Sequence, residues 1–185
     1  MGFHIVFDIK MDFSRNVRLV ADGCKTPDPM TITYDGVVSR KSVRITFTYA
    51  NLNNLDVWAG DVQTAYLPAP CSEKYYTVLG PEFRPEYKGR KALIIQVAYG
   101  LKNTGADFRD HLRDCMKYLG YTSCSADPDV WMQPAQKEED IEYYDYVLLC
   151  VDDCLCVSED PKHALVQISK YFSIKLRSLG PQRYT

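Results

Sequence analysis

The sequence predicts an α+β fold with helices packed on one face of a mainly antiparallel sheet. Three observations carry this. Several short runs alternate apolar and polar residues between Gly, Pro, Asn and Asp, as strands and hairpins do. Three longer segments instead space their apolar residues at helical period. The two kinds are intermixed along the chain, with hairpins among them.

Taken in order, "FHIVFDIKMDF" and "NVRLVADG", which ends at Gly23, read as a hairpin. "PDPMTITYDG" is rich in turn formers and reads as a loop. From Ser42 to Leu55, Val43, Phe47, Ala50 and Leu55 fall near one face behind a Ser cap, which predicts a helix. "DVWAGDV" is a short strand left through the proline-broken "TAYLPAP", and "KYYTVLG" and "KALIIQV" are two more strands. "TGADFRDHLRDCMKYLGY" carries Phe108, Leu112, Cys115, Met116 and Leu119 at helical spacing and ends in Gly120. A short strand around "PDVWMQ" and an acidic loop precede a strand–turn–strand from Tyr143 to Val157. "PKHALVQISKYF" is a last helix with Pro161 at its start. No repeat, low-complexity tract or interdomain linker interrupts the 185 residues, which suit one domain, or a domain and a half, with an ordinary core.

Composition narrows the class. Hydrophobic content of 46% and charged content of 25% are those of a folded soluble protein. No apolar run approaches the eighteen or so residues of a membrane helix. The start, "MGFHIVFDIK", lacks the pattern of a signal peptide, and Val6 stands where a myristoylation motif needs Ser or Thr. Seven cysteines, odd in number and without paired spacing, indicate reduced thiols in a cytosolic or nuclear setting. Cys150, Cys154 and Cys156 cluster, but with no C-x-x-C pair and no nearby His they read as small buried hydrophobes rather than metal ligands.

A net charge of −2 argues against a generic polyanion binder. Charge is nonetheless unevenly spread. Arg84 to Arg113 holds seven Lys/Arg against three Asp/Glu, whereas residues 138 to 160 hold nine acids and no Lys or Arg. A basic surface and an acidic focus would bind phosphates and cations at different places, although solvated faces give the same counts.

The acidic focus contains Asp152 and Asp153, adjacent inside an otherwise apolar run. Two neighbouring carboxylates repel, and burial makes each costlier to ionise, so solvent at a turn or a cation must offset them. Turn chemistry alone accounts for such a pair at a hairpin tip. A third acid, Asp61, ends "DVWAGDV" in a similar way. If that strand neighbours the hairpin, three carboxylates converge and can hold two Mg2+ ions, the arrangement that suits phosphoryl transfer.

"GDVQTAYLPAP", "AYGLKNTGADFRDHL" and "CVDDCLCVSED", in that order, resemble the reverse transcriptase of copia-type retrotransposons, and "RLVADG", "VVSRKSVR" and "YTSCSADPDVWM" agree with the same family. The resemblance covers nearly the whole chain. It implies a right-handed-palm polymerase fold with part of the fingers over residues 1–185, thumb and RNase H absent, performing RNA- and DNA-templated DNA synthesis. It implies that Asp61, Asp152 and Asp153 are catalytic and bind Mg2+ or Mn2+, with Val62 beside them in the metal set. Tyr66 falls where the family places the aromatic that crowds a ribose 2′-OH, although a core tyrosine reads the same in sequence. Tyr99 and Gly100 resemble the floor of the nucleotide pocket, and Lys10 and Arg18 the basic residues that hold the triphosphate. Lys102, Cys150 and Val151 fall among positions that meet template and primer, Lys102 facing either template or water.

The implied partners are an RNA or DNA template with its primer, deoxynucleoside triphosphates and the rest of the retrotransposon polyprotein, with no membrane. The implied place is a cytoplasmic virus-like particle or the nucleus. The chain departs from the family at Cys150, where Tyr is usual, and at "LKNTGADF", which replaces Lys-Gln-Ser-Pro and puts Phe108 in place of Trp. "SLGPQRYT" stops where the primer grip and thumb should begin, and the first fingers strands before Phe3 are missing, as in a palm cut from a polyprotein or left by a decaying element. A non-polymerising remnant that binds nucleic acid is the first alternative. A nucleotide cyclase is the second, and it leaves "AYGLKNTG" and Tyr66 unexplained.

Overall fold

Alternation and punctuation in the sequence translate directly into strands in a computed structural model, which describes residues 1–177 other than 12, 31–32, 34–35, 81–82 and 138–139. The described residues form β1 (Phe3–Ile9), β2 (Arg15–Ala21), α1 (Arg40–Leu52), β3 (Asp56–Val62), β4 (Pro70–Val78), β5 (Lys91–Gln96), α2 (Thr104–Tyr118), β6 (Thr122–Ser123), β7 (Val130–Gln136), β8 (Glu142–Cys150), β9 (Asp153–Ser158), α3 (Pro161–Ser169) and β10 (Ile174–Arg177). The chain divides into two compact units, Met1–Tyr34 with Tyr66–His111, and Asp35–Ala65 with Leu112–Thr185.

The first unit holds two antiparallel hairpins, β1–β2 and β4–β5. At the β1–β2 turn the Phe13 N–H donates to Lys10 O at 2.9 Å, and Phe13 takes a φ of 61°. The start of α2 is tied to β4 through a buried polar cluster. Asn103, which is fully buried, donates through Nδ2 to Asp107 Oδ2 at 2.6 Å and to Ser72 Oγ at 3.1 Å, and the Ser72 N–H donates to the same Asp107 oxygen at 3.0 Å. The large majority of buried polar groups are bonded in this way. Four residues of the expected "PDPMTITYDG" loop, 31–32 and 34–35, lie outside the described residues.

The second unit is built on a six-stranded antiparallel sheet in the order β10-β3-β9-β8-β7-β6. Successive side chains alternate between its faces. On one face Gly60 makes room for α3 and β10. A Cβ there would come within 2.8 Å of Leu165 Cδ2 and 2.9 Å of Ile174 Cγ2. Cys154, which pairs with Gly60, and Cys156 are completely buried on that face. On the other face, Tyr49 of α1 stacks edge-on against Tyr146 with ring centroids 5.0 Å apart, and its hydroxyl accepts the Tyr144 N–H at 2.9 Å. The helices therefore lie on both faces of this sheet, and the one-face arrangement expected from sequence holds for α3 but not for α1. The α+β class stands.

Element limits differ where short polar segments decide them. The N-cap of α1 is Ser39, whose hydroxyl accepts the Ser42 N–H at 3.1 Å, so the helix starts before Ser42 and stops at Leu52. α2 ends as expected, with Gly120 at φ +90°. α3 is capped by Asp160 with Pro161 behind it. β6 and β10 are strands of two and four residues that the pattern does not announce. Among the described residues all seven cysteines are free of disulfides, and no helix is long and apolar enough to cross a membrane.

Candidate functional site

The register of β3 against β9 sets Asp61 directly opposite Asp153. Opposite residues of an antiparallel pair share a face, with Cβ atoms about 4.5–5.5 Å apart. In the other direction Asp153 pairs with Cys150 across the β8–β9 hairpin, which leaves Val151 and Asp152 as its two-residue loop. Such loops need positive φ, and Val151 adopts φ +55°, a strained state for a β-branched residue. The loop is fastened to β3, because the Val62 N–H donates to Asp152 O at 2.7 Å. Asp61, Asp152 and Asp153, with Val62, Cys150 and Val151, are thus brought together in one unit at one end of three adjacent strands.

Their environments suit charge. Asp152 and Asp153 are exposed and Asp61 is half-buried, so solvent at the hairpin tip offsets the repulsion that the sequence poses. Cys150 reports the local potential. Burial pushes its thiol up first, and the carboxylates of Asp153, Asp152 and Asp129 push it further. Asp129 escaped the sequence reading. It is 3% exposed, and its carbonyl accepts the Leu149 N–H at 2.9 Å, which places it beside this end of β8. The Asp-Pro-Asp run that contains it is the signal that could have pointed there. Val62 is 2% exposed, so it offers no side chain to a ligand, and its backbone N–H holds the Asp152 turn.

Among the described residues, no three His, Cys, Asp or Glu side chains form a ready-made metal cage. Mg2+ does not demand one, since it binds through one or two carboxylates, several waters and substrate phosphates. Hard, partly exposed oxygen donors on adjacent strands in a negative field fit that ion. Buried Cys154, its thiol pushed up to about 12 chiefly by burial, does not compete as a ligand.

The residues matched to a nucleotide pocket lie in the other unit. Tyr66, in the turn after β3, is half-buried and sits edge-on against Tyr99 and Phe108 at centroid distances of 5.3 and 5.4 Å. The Arg18 guanidinium lies 5.9 Å from the centre of the Tyr99 ring. Tyr99 is held by β2, because the Ala21 N–H donates to its carbonyl at 2.7 Å. Gly100 has φ +91°, and a Cβ on it would collide with Ala21 O. A Cβ on Gly23 would likewise collide with Gly100 O. The requirement for glycine at position 100 thus has a packing cause, close approach of β2 and the Gly23 turn, beside any contact with a substrate. Lys10 is exposed at the hairpin turn and is not beside Arg18, which pairs with Val6. Lys102 is engaged within the unit, donating to Thr26 O at 2.9 Å and to Asp28 Oδ1 at 2.8 Å. The chain matches no protein-family profile and no solved structure.

Proposed function

We propose that this chain is the fingers and palm portion of an RNA-directed DNA polymerase of the copia-type retrotransposon class, joining deoxynucleotides to a primer paired with RNA or DNA. The observation that carries the reading is the register of Asp61 against Asp153, with Asp152 in the adjoining turn. Those three acids come from two ordered motifs and meet on adjacent strands, as a metal-dependent nucleotidyl transferase requires. Asp61, Asp152 and Asp153 would hold Mg2+ or Mn2+. When bound, the ions supply activation of the primer 3′-oxygen and stabilisation of the departing pyrophosphate.

The chain's own side chains do the rest. Val62 fixes the Asp152 turn through its N–H. Tyr66, braced by two aromatic rings, presents bulk that a 2′-OH would meet. Arg18 and Lys10 meet the triphosphate, and Tyr99 with Gly100 floors the sugar and base. The partners are template and primer, deoxynucleoside triphosphates and the remainder of the polyprotein, in a virus-like particle or the nucleus. A second reading, nucleic-acid binding without polymerisation, is favoured by Cys150, a small exposed thiol where the family carries Tyr.

The test is incorporation of labelled dTTP opposite a poly(rA) template primed with oligo(dT), in Mg2+ and in Mn2+. Template-dependent addition that disappears in Asp61→Asn and Asp153→Asn supports the polymerase. Retained binding of the primed template with no addition in either metal transfers the conclusion to the second reading. Formation of a cyclic nucleotide from free triphosphate would replace both with a cyclase.

A further inference from the structure

The β1–β2 hairpin is a two-stranded sheet of its own, and its register assigns every side chain to one of two faces. Opposite residues share a face, and successive residues alternate. One face carries His4, Asp8, Asn16 and Arg18, and it is tied down. His4 Nδ1 lies 2.9 Å from Asp22 Oδ1, and the Arg18 guanidinium sits over the Tyr99 ring. The other face carries the cross-strand rows Ile5–Leu19, Phe7–Val17 and Ile9–Arg15. Its five apolar side chains are between 40% and 77% exposed, so the usual order of apolar side inward is inverted here. Met11 and Phe13 at the tip are also exposed. A two-stranded sheet is marginal in water unless further strands or a helix cover its apolar face.

We propose that this face is the contact between two copies of the chain, packed sheet on sheet across a two-fold axis. Area supports it. The five side chains present on the order of 500 Å² of apolar surface, and the tip residues bring this to about 800 Å². An exposed patch of that size marks an interaction site, and about 800 Å² per partner is what a stable complex buries. Charge supports it as well. Arg15 is the one charged side chain in the three rows, so the face offers one cation to a nucleic acid or an acidic peptide and no carboxylate to a basic one. A surface without a charge pattern is complementary to its own copy, as a two-fold contact requires. With the axis along the Phe7–Val17 row, each of those residues meets its own counterpart, and the two Arg15 side chains fall at opposite ends. A net charge of −2 leaves little repulsion between copies. The inference does not depend on the polymerase reading.

Sedimentation equilibrium of the whole chain, from low micromolar upward, tests this. The expected result is a reversible rise from the mass of one chain to twice that mass and no further. Phe7→Lys and Val17→Lys, both at exposed positions, each weaken the association by about tenfold or more. Ile95→Lys, on the exposed side of the β4–β5 hairpin, leaves it unchanged. In a dimer mixed from isotope-labelled and unlabelled chains, filtered NMR should show contacts between the Phe7 rings of the two copies. A single-chain mass at every concentration overturns the proposal, as does growth beyond two copies, which would signal edge-to-edge pairing of strands. Association that Ile95→Lys abolishes and Phe7→Lys spares places the contact on the other hairpin and also overturns it. A chain that remains single but co-sediments with phosphatidylcholine–phosphatidylserine vesicles, and loses this in Phe7→Lys, assigns the face to a lipid surface instead. Should either lysine variant fail to fold, the mass and the inter-copy contacts of the unaltered chain decide alone.

Discussion

Asp61 on β3 and Asp153 on β9 are direct cross-strand partners, so two carboxylates occupy one row of the pleat at the end of the sheet. Like charges placed opposite one another are destabilising, by about 0.2–1 kcal/mol in ordinary sheets. Asp61→Asn is therefore expected to stabilise the metal-free chain by about that amount. Mn2+ at a hundredfold excess over its dissociation constant should stabilise the original chain by about 2.7 kcal/mol and the variant far less. Urea unfolding with and without Mn2+ measures both. A variant less stable than the original without metal, or equally stabilised by it, would count against a shared carboxylate site.

Tyr66 touches Tyr99 and Phe108 edge-on, and each such pair is worth about 0.5–1.5 kcal/mol beyond simple burial. Tyr66→Phe should keep stability and nucleotide choice together. Tyr66→Ala should lose stability and, in the incorporation assay, admit ribonucleotides by removing a clash. Loss of stability with unchanged discrimination would leave Tyr66 as a core residue only.

A Cβ on Gly23 would strike the Gly100 carbonyl and a Cβ on Gly100 the Ala21 carbonyl, so neither has room for a methyl group. The obstacles are backbone carbonyls, which cannot swing aside as a side chain does. Gly23→Ala and Gly100→Ala are each expected to destabilise their unit by about 1–3 kcal/mol. The double variant should cost less than the sum, since both substitutions part the same Ala21–Gly23 segment from Gly100. Additive losses in thermal unfolding would show the two glycines to be independent.

Alkaline pH should weaken the fold. Burial pushes the Cys115 thiol up to about 11, raises Cys156 well above its ordinary value, and raises the Tyr121 hydroxyl in the same direction. A group whose folded pKa is raised contributes stability that is complete below its unfolded pKa and is lost as pH climbs through the folded one. For Cys115 the loss starts near the ordinary thiol value of about 8.5 and continues through about 11. Unfolding free energy measured from pH 7 to 11 should fall above pH 9, and more gently in Cys115→Ala. A flat profile would show that these groups ionise as easily folded as unfolded.

Particular elements show what a one-dimensional reading can reach. The strand Asp56–Val62 and the paired strands around Asp152 stand out because turn residues bracket short apolar runs. The cap of α1 was misplaced because Arg40 and Lys41 carry no apolar period, so Ser42 looked like the start when Ser39 is. β10 has four residues and becomes a strand only because β3 offers it an edge. The convergence of three acids was readable from their strand ends. That Asp61 meets Asp153 rather than Asp152 is a matter of register, which one residue of slippage would reverse. A cavity lined by Gln133, Tyr143 and His163 was invisible in the sequence, since its wall is gathered from strands, a turn and a helix spread over nearly fifty residues.

The order of strands in the sheet also sets a timetable for its assembly. β3 lies between β9 and β10, so it has no sheet neighbour among the strands synthesised before residue 153. About ninety residues of chain, including the whole β4–β5 hairpin, emerge between Asp61 and the partner it waits for. During synthesis at about 5–20 residues per second, that leaves an apolar strand with both edges open for several seconds. The waiting strand carries two unpaired edges throughout that interval, and the acidic pair at its end is among the last features of the molecule to come into being.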